Sequence, residues 1–90
     1  MLKTLENLIS TIRQKKTSPD EKSYTSKLLR DKNLSVEKVK EEIAELIDAV
    51  ENNSNTVHEA ADVLYHLLVY LEGNGVRIED IMLELDKRRK

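Results

Sequence analysis

Apolar residues recur at helical spacing along most of the chain, and no stretch alternates with the period of a strand. Leu2, Leu5, Leu8, Ile9 and Ile12 predict a first helix over residues 2–13. Residues 14–22, with Lys15, Lys16, Ser18, Pro19 and Asp20, read as a polar loop, and a short helix is expected around 25–31. Ser35 stands just ahead of a long periodic run and is the expected N-cap. In that run Val36, Val39, Ile43, Leu46, Ile47 and Val50 form one stripe, giving a helix to about residue 51. Asn52, Asn53, Ser54 and Asn55 make a polar turn, with Asn55 or Thr56 capping the next helix. That helix runs to about residue 71 and stops at Glu72-Gly73-Asn74-Gly75. Ile78, Ile81, Met82 and Leu85 mark a last helix over 78–88. The pattern predicts an all-α fold, a small bundle of four to five helices. Its two long central helices, joined by a tight turn, lie antiparallel.

Composition narrows the picture. Ninety residues suffice for one domain, expected to span 1–90. There is no Phe or Trp, and Tyr24, Tyr65 and Tyr70 are the only aromatics. So thin an aliphatic core favours a homodimer. With no cysteine, disulfides, thiolate metal sites and cysteine nucleophiles are excluded. A net charge of -2 gives no basic field for nucleic acid or a membrane surface. No run approaches the roughly 20 apolar residues of a bilayer span, and the amphipathic, acid-bearing start is no signal peptide. A soluble, cytoplasmic chain is expected.

The distribution of charge is more informative than its total. All fifteen Lys and Arg lie in residues 1–40 or 77–90. The interval between holds eight acids: Glu41, Glu42, Glu45, Asp48, Glu51, Glu59, Asp62 and Glu72. A solvated acidic face accounts for Asp48, Glu51 and Glu72, which fall off the stripes or at helix ends. It accounts poorly for Glu59 and Asp62, the only charges in VHEAADVLYHLLVYL, an apolar run that reads as a buried helix. At about 100° per residue, Glu59, Asp62 and His66 share one strip. Buried carboxylates must be neutralised, paired with a cation, or open to a cleft. Glu42 and Glu45, three apart on the neighbouring helix, can face that strip. Four carboxylates without nitrogen or sulfur ligands suit a hard cation, Mg²⁺ or Mn²⁺, and such ions serve phosphate chemistry.

The run Glu41-Glu42-Ile43-Ala44-Glu45, followed by Glu59-Ala60-Ala61-Asp62, resembles the EExxE and ExxD motifs of the MazG-like all-α nucleoside triphosphate pyrophosphohydrolases. Ser23-Tyr24-Thr25-Ser26-Lys27-Leu28-Leu29, Lys38-Val39 and the run from Glu59 to Leu68 are similar to the phosphoribosyl-ATP pyrophosphohydrolases within that group. The likeness covers about residues 2–89. It implies cleavage of phosphoribosyl-ATP to phosphoribosyl-AMP and pyrophosphate, the second step of histidine biosynthesis, in a stand-alone form without a cyclohydrolase half. It also implies metal binding by Glu42, Glu45, Glu59 and Asp62, with Glu41 as a further ligand or as base. Lys40 departs from the small residue that relatives commonly carry there.

In the resulting mechanism Mg²⁺ counters the phosphate charge, and Glu41 or Glu45 takes a proton from water. Tyr24, Thr25 and Lys27, at a loop-to-helix junction, either hold phosphate or simply start a capped helix. Lys38 reads equally as a phosphate ligand or as an ordinary ion pair with Glu42 one turn on. His66 is expected behind the ligands, orienting Asp62; Tyr65 is expected to pack, and the basic tail 87–90 to be solvated. Two alternatives remain: a MazG-like house-cleaning pyrophosphatase acting on (d)NTPs, and a helical interaction protein without chemistry. A di-iron bundle is disfavoured because no Glu-x-x-His pair occurs.

Overall fold

A computed structural model describes residues 2–89; Met1 and Lys90, the last residue of the basic tail, lie outside them. It is all-helical, with α1 (Lys3–Thr17), α2 (Tyr24–Arg30), α3 (Lys32–Glu51), α4 (Thr56–Gly73) and α5 (Ile78–Arg88). No helix among the described residues is long and apolar enough to cross a membrane.

Helix boundaries differ from the expected ones where polar residues propagate a helix. α1 runs on through Gln14, Lys15 and Lys16. All three are good helix formers, and the two lysines suit the negative end of the macrodipole. α3 starts earlier than expected: Asp31 is the N-cap, its carboxylate accepting from Leu34 N at 3.1 Å. Ser35 is therefore not a cap but a buried residue inside the helix. At the α3–α4 turn Asn55 occupies the N-cap position in the left-handed region, φ 52°, and makes no side-chain cap. The Thr56 hydroxyl donates to Ala49 O instead, at 3.4 Å. α4 continues two residues beyond the expected stop and is closed by Gly75, whose φ of 76° suits a residue without a Cβ.

α3 and α4 form the most extensive pairing in the molecule. α3 splits its apolar stripe: Val36, Val39 and Leu46 are half-buried, and the rest faces solvent. Ser35, Glu42 and Ala49, seven residues apart, are its buried positions, while Ile43, Ile47 and Val50 stay exposed. α4 is likewise not apolar-buried all round, since Val57 and Leu64 are open to solvent. The core proper lies on the other side of α4, where Leu68 and Val69 pack with Ile9 and Ile12 of α1 and Leu28 of α2. α5 buries no residue fully.

Candidate active site

The α3–α4 pairing carries Glu42 and Glu45 from one helix against Glu59 from the other. One carboxylate oxygen from each lies within 4.8 Å of the others. Glu42 is 8% exposed, and its Oε2 has no hydrogen-bond partner; neither has Oε2 of Glu59. Burial, the Glu45 carboxylate and then Asp62 push the Glu42 carboxyl above its ordinary range. Burial and Glu45 do the same to Glu59. Asp62 joins the group at its edge: it is near Glu59 and pairs with His58, Nε2 to Oδ2 at 3.4 Å. Among the described residues no Lys or Arg forms an ion pair with Glu42, Glu45, Glu59 or Asp62. Oxygen donors without a counter-cation are the donor set a hard divalent ion takes, so these residues fit one.

Glu41 points elsewhere. It is exposed and pairs with Lys38 at 3.6 Å, so the expected Lys38–Glu42 pair is replaced by an i,i+3 pair with Glu41. α2 packs against α3 and α4 and supplies the next wall. Tyr24 Oη lies 2.9 Å from His66 Nε2, and His66 Nδ1 lies 2.8 Å from Asp62 O. A carbonyl only accepts, so Nδ1 carries the hydrogen; in the neutral ring Nε2 then accepts from the Tyr24 hydroxyl. His66 thus grips the main chain of Asp62 rather than its carboxylate. Burial raises the Tyr24 phenol. Thr25 shares a hydrogen bond with Tyr65, whose hydroxyl is therefore engaged as well as packed. The Ser23 hydroxyl already accepts from Ser26 N, and Lys27 is exposed with no ion pair drawing it to the acids.

Glu72 corrects the solvated-face reading. It is 2% exposed and held by Arg13, Nε to Oε1 and Nη2 to Oε2 at 2.9 Å each. Arg13 also reaches Glu79 at 2.6 Å, and Lys16 donates to Glu72 O at 2.7 Å. Hydrogen bonding by Arg13 lowers the Glu72 carboxyl and brings Glu79 down to about 2. The signal was present in the sequence: Glu72 follows the core residues Leu68 and Val69 by four and three positions, on their face. Asp48 and Glu51 are exposed, as expected.

A helical fold whose central pair of helices gathers carboxylates from both arms, with no Lys or Arg paired to them among the described residues, defines the class: a helical protein with a centre suited to a divalent ion. The family described as phosphoribosyl-ATP pyrophosphohydrolase matches residues 5–89, and the chain belongs to it. It is 42% identical over 94 residues to the phosphoribosyl-ATP pyrophosphatase of Methanoregula boonei, covering 99% of this chain and 90% of that protein. It is 42% identical over 92 residues to the chloroplastic histidine biosynthesis bifunctional protein of Arabidopsis thaliana, and spans 33% of that protein's length. Against the bifunctional protein of Pyrococcus furiosus the identity is 40%, with 99% of this chain and 43% of the relative covered.

Proposed function

We propose that the chain hydrolyses phosphoribosyl-ATP between its α and β phosphates, releasing phosphoribosyl-AMP and pyrophosphate, as the second step of histidine biosynthesis. Family membership and the names of its relatives support the substrate. The observation that carries the chemistry is Glu42: a buried carboxylate, one oxygen without a partner, gathered with Glu45 and Glu59 and paired with no Lys or Arg among the described residues. Leaving such a group ionised is costly unless a cation answers it.

Glu42, Glu45, Glu59 and Asp62 would hold Mg²⁺, with Mn²⁺ as a substitute. Bound there, the ion would neutralise phosphate charge and acidify a water. The remaining work belongs to the chain. Glu45 lies on the solvent side of Glu42 and Glu59, and its carboxylate receives the water's proton. Glu41, engaged by Lys38, is the second candidate for that role. The Lys38 ammonium, half-buried beside Glu41, meets the substrate phosphates. Tyr24 presents a half-exposed ring beside the centre while its hydroxyl is anchored on His66. Thr25, tied to Tyr65, and the exposed Lys27 complete the α2 wall. Residues 1–90 act as one domain in the cytoplasm.

A homodimer accompanies this function. Ile43, Ile47 and Val50 lie at i, i+4 and i+7 on α3 and are 41%, 53% and 58% exposed; Val57 and Leu64 of α4 are exposed as well. A second copy covers this apolar surface.

The test measures pyrophosphate release from phosphoribosyl-ATP beside common NTPs and dNTPs, with Mg²⁺ and with EDTA. Release confined to phosphoribosyl-ATP and abolished by EDTA is expected. Preference for an ordinary NTP would instead make the chain a house-cleaning pyrophosphatase, and release that persists in EDTA would remove the metal from the mechanism.

A further inference from the structure

The strip on α4 offers more than oxygen. His58, Glu59 and Asp62 can each place one ligand atom within 4.8 Å of the others, and Glu59 belongs both to this group and to the Glu42–Glu45–Glu59 group. We propose that His58, Glu59 and Asp62 form a second cation position beside the all-oxygen one, taking a first-row transition dication through an imidazole nitrogen, with Glu59 and Asp62 shared between the two. The proposal rests on reading the neighbouring carboxylates as a cation centre, and extends it to a residue that reading does not use.

Three observations carry it. First, His58 and Asp62 are one helical turn apart, the spacing that lets two side chains on one face share an ion. Their 3.4 Å separation is long for a charge-assisted hydrogen bond, which runs about 2.7–2.9 Å. Two donors each about 2.1 Å from a common ion stand roughly 3.0 to 3.4 Å apart as the angle between them opens from a right angle to the tetrahedral one. Second, Glu59 Oε2 is buried without a partner, so the shared ligand has a lone pair committed to nothing in the protein. Third, His58 is free to turn: its side chain is 72% exposed, and Asp62 is its only ion-pair partner among the described residues. His66, the other histidine of the chain, has both ring nitrogens engaged, by Asp62 O and the Tyr24 hydroxyl. Only His58 has a nitrogen to give. Imidazole favours transition ions over magnesium, so the two positions differ in selectivity: Mg²⁺ suits the carboxylates alone, while Co²⁺ or Zn²⁺ suits the nitrogen-bearing position and Mn²⁺ accepts either donor set.

The experiment loads the whole chain with Mn²⁺ at about pH 8. It follows binding by electron paramagnetic resonance, with spin-echo detection of coupled nitrogen. The parent is expected to show nitrogen coupled to bound Mn²⁺. His58→Ala, an exposed change that leaves helix content intact by circular dichroism, loses that coupling and weakens Mn²⁺ binding at this position about tenfold or more. Its Mg²⁺ affinity by calorimetry changes by less than about twofold, since magnesium takes oxygen ligands. Nitrogen coupling that survives in His58→Ala overturns the proposal. Mn²⁺ binding to the parent without nitrogen coupling overturns it too, while leaving the carboxylate centre standing. Failure of both Mn²⁺ and Mg²⁺ to bind overturns the centre and the proposal together.

Discussion

Glu42 and Glu72 are both buried carboxylates on the central hairpin, 8% and 2% exposed, yet they are answered in opposite ways. Glu72 meets the Arg13 guanidinium through two hydrogen bonds, and its carboxyl is lowered. Glu42 meets other acids and is raised, with burial the chief cause. The Glu72 end is thus internally neutralised and ties α1 to α4 and, through Glu79, to α5. The Glu42 end stores an electrostatic debt that only something from outside the chain can relieve. Burial of an acid alone therefore says nothing about function; the absence of an internal counter-charge does.

The comparison breaks most visibly in turnover. Glu42→Gln and Asp62→Asn each keep shape and remove a charge; pyrophosphate release should fall by about 10²–10³-fold or more, with helix content by circular dichroism unchanged. Near-parental rates in either variant would sink the assignment. At the other end the effect falls on stability. Arg13→Ala leaves Glu72 buried and unpaired, and denaturant unfolding should show a loss of about 2–3 kcal/mol, below the full buried-pair figure because Arg13 is a third exposed. Replacing Arg13 and Glu72 together by Met should recover most of that loss.

The two ends also titrate in opposite senses. Glu72 and Glu79 are lowered, so their contribution is complete above the ordinary carboxylate value and is lost as pH falls, for Glu79 down to about 2. Glu42 and Glu59 are raised, so without a divalent ion stability falls as pH climbs from the ordinary carboxylate value through their raised ones. Thermal melts across pH in EDTA should show both limbs, and Mg²⁺ should flatten only the upper one. The smallest sharpening concerns the exposed stripe. Ile47→Asp should shift the sedimentation of the chain from dimer to monomer, at a cost to monomer stability within about 0.5 kcal/mol because the position is already exposed.

Much of this was legible in the residue pattern. Five helices, the antiparallel pair and the Glu42–Glu45–Glu59 group follow from helical spacing and from the gap in basic residues. Two things resisted. The packing face of α3 did, because its fully buried positions are Ser35, Glu42 and Ala49, while Ile43, Ile47 and Val50 of the apolar stripe face outward. The Arg13–Glu72 pair did as well, since its partners lie 59 positions apart and on different helices. Local periodicity reports which face a residue occupies but not which distant residue will meet it. Helix ends shifted for a related reason: Asp31 and Ser35 are both competent caps, and the packing of Ser35 inside the bundle decided between them.

The most direct test is a melt of the parent and of Glu42→Gln at about pH 7, each with EDTA and with saturating Mg²⁺. If Glu42 is a ligand left without its ion, Glu42→Gln in EDTA melts at or above the parent. Mg²⁺ then raises the parent by about 5 °C or more and the variant far less. A variant that melts well below the parent in EDTA, and gains as much from Mg²⁺, would mean that Glu42 is a structural residue and the ion binds elsewhere.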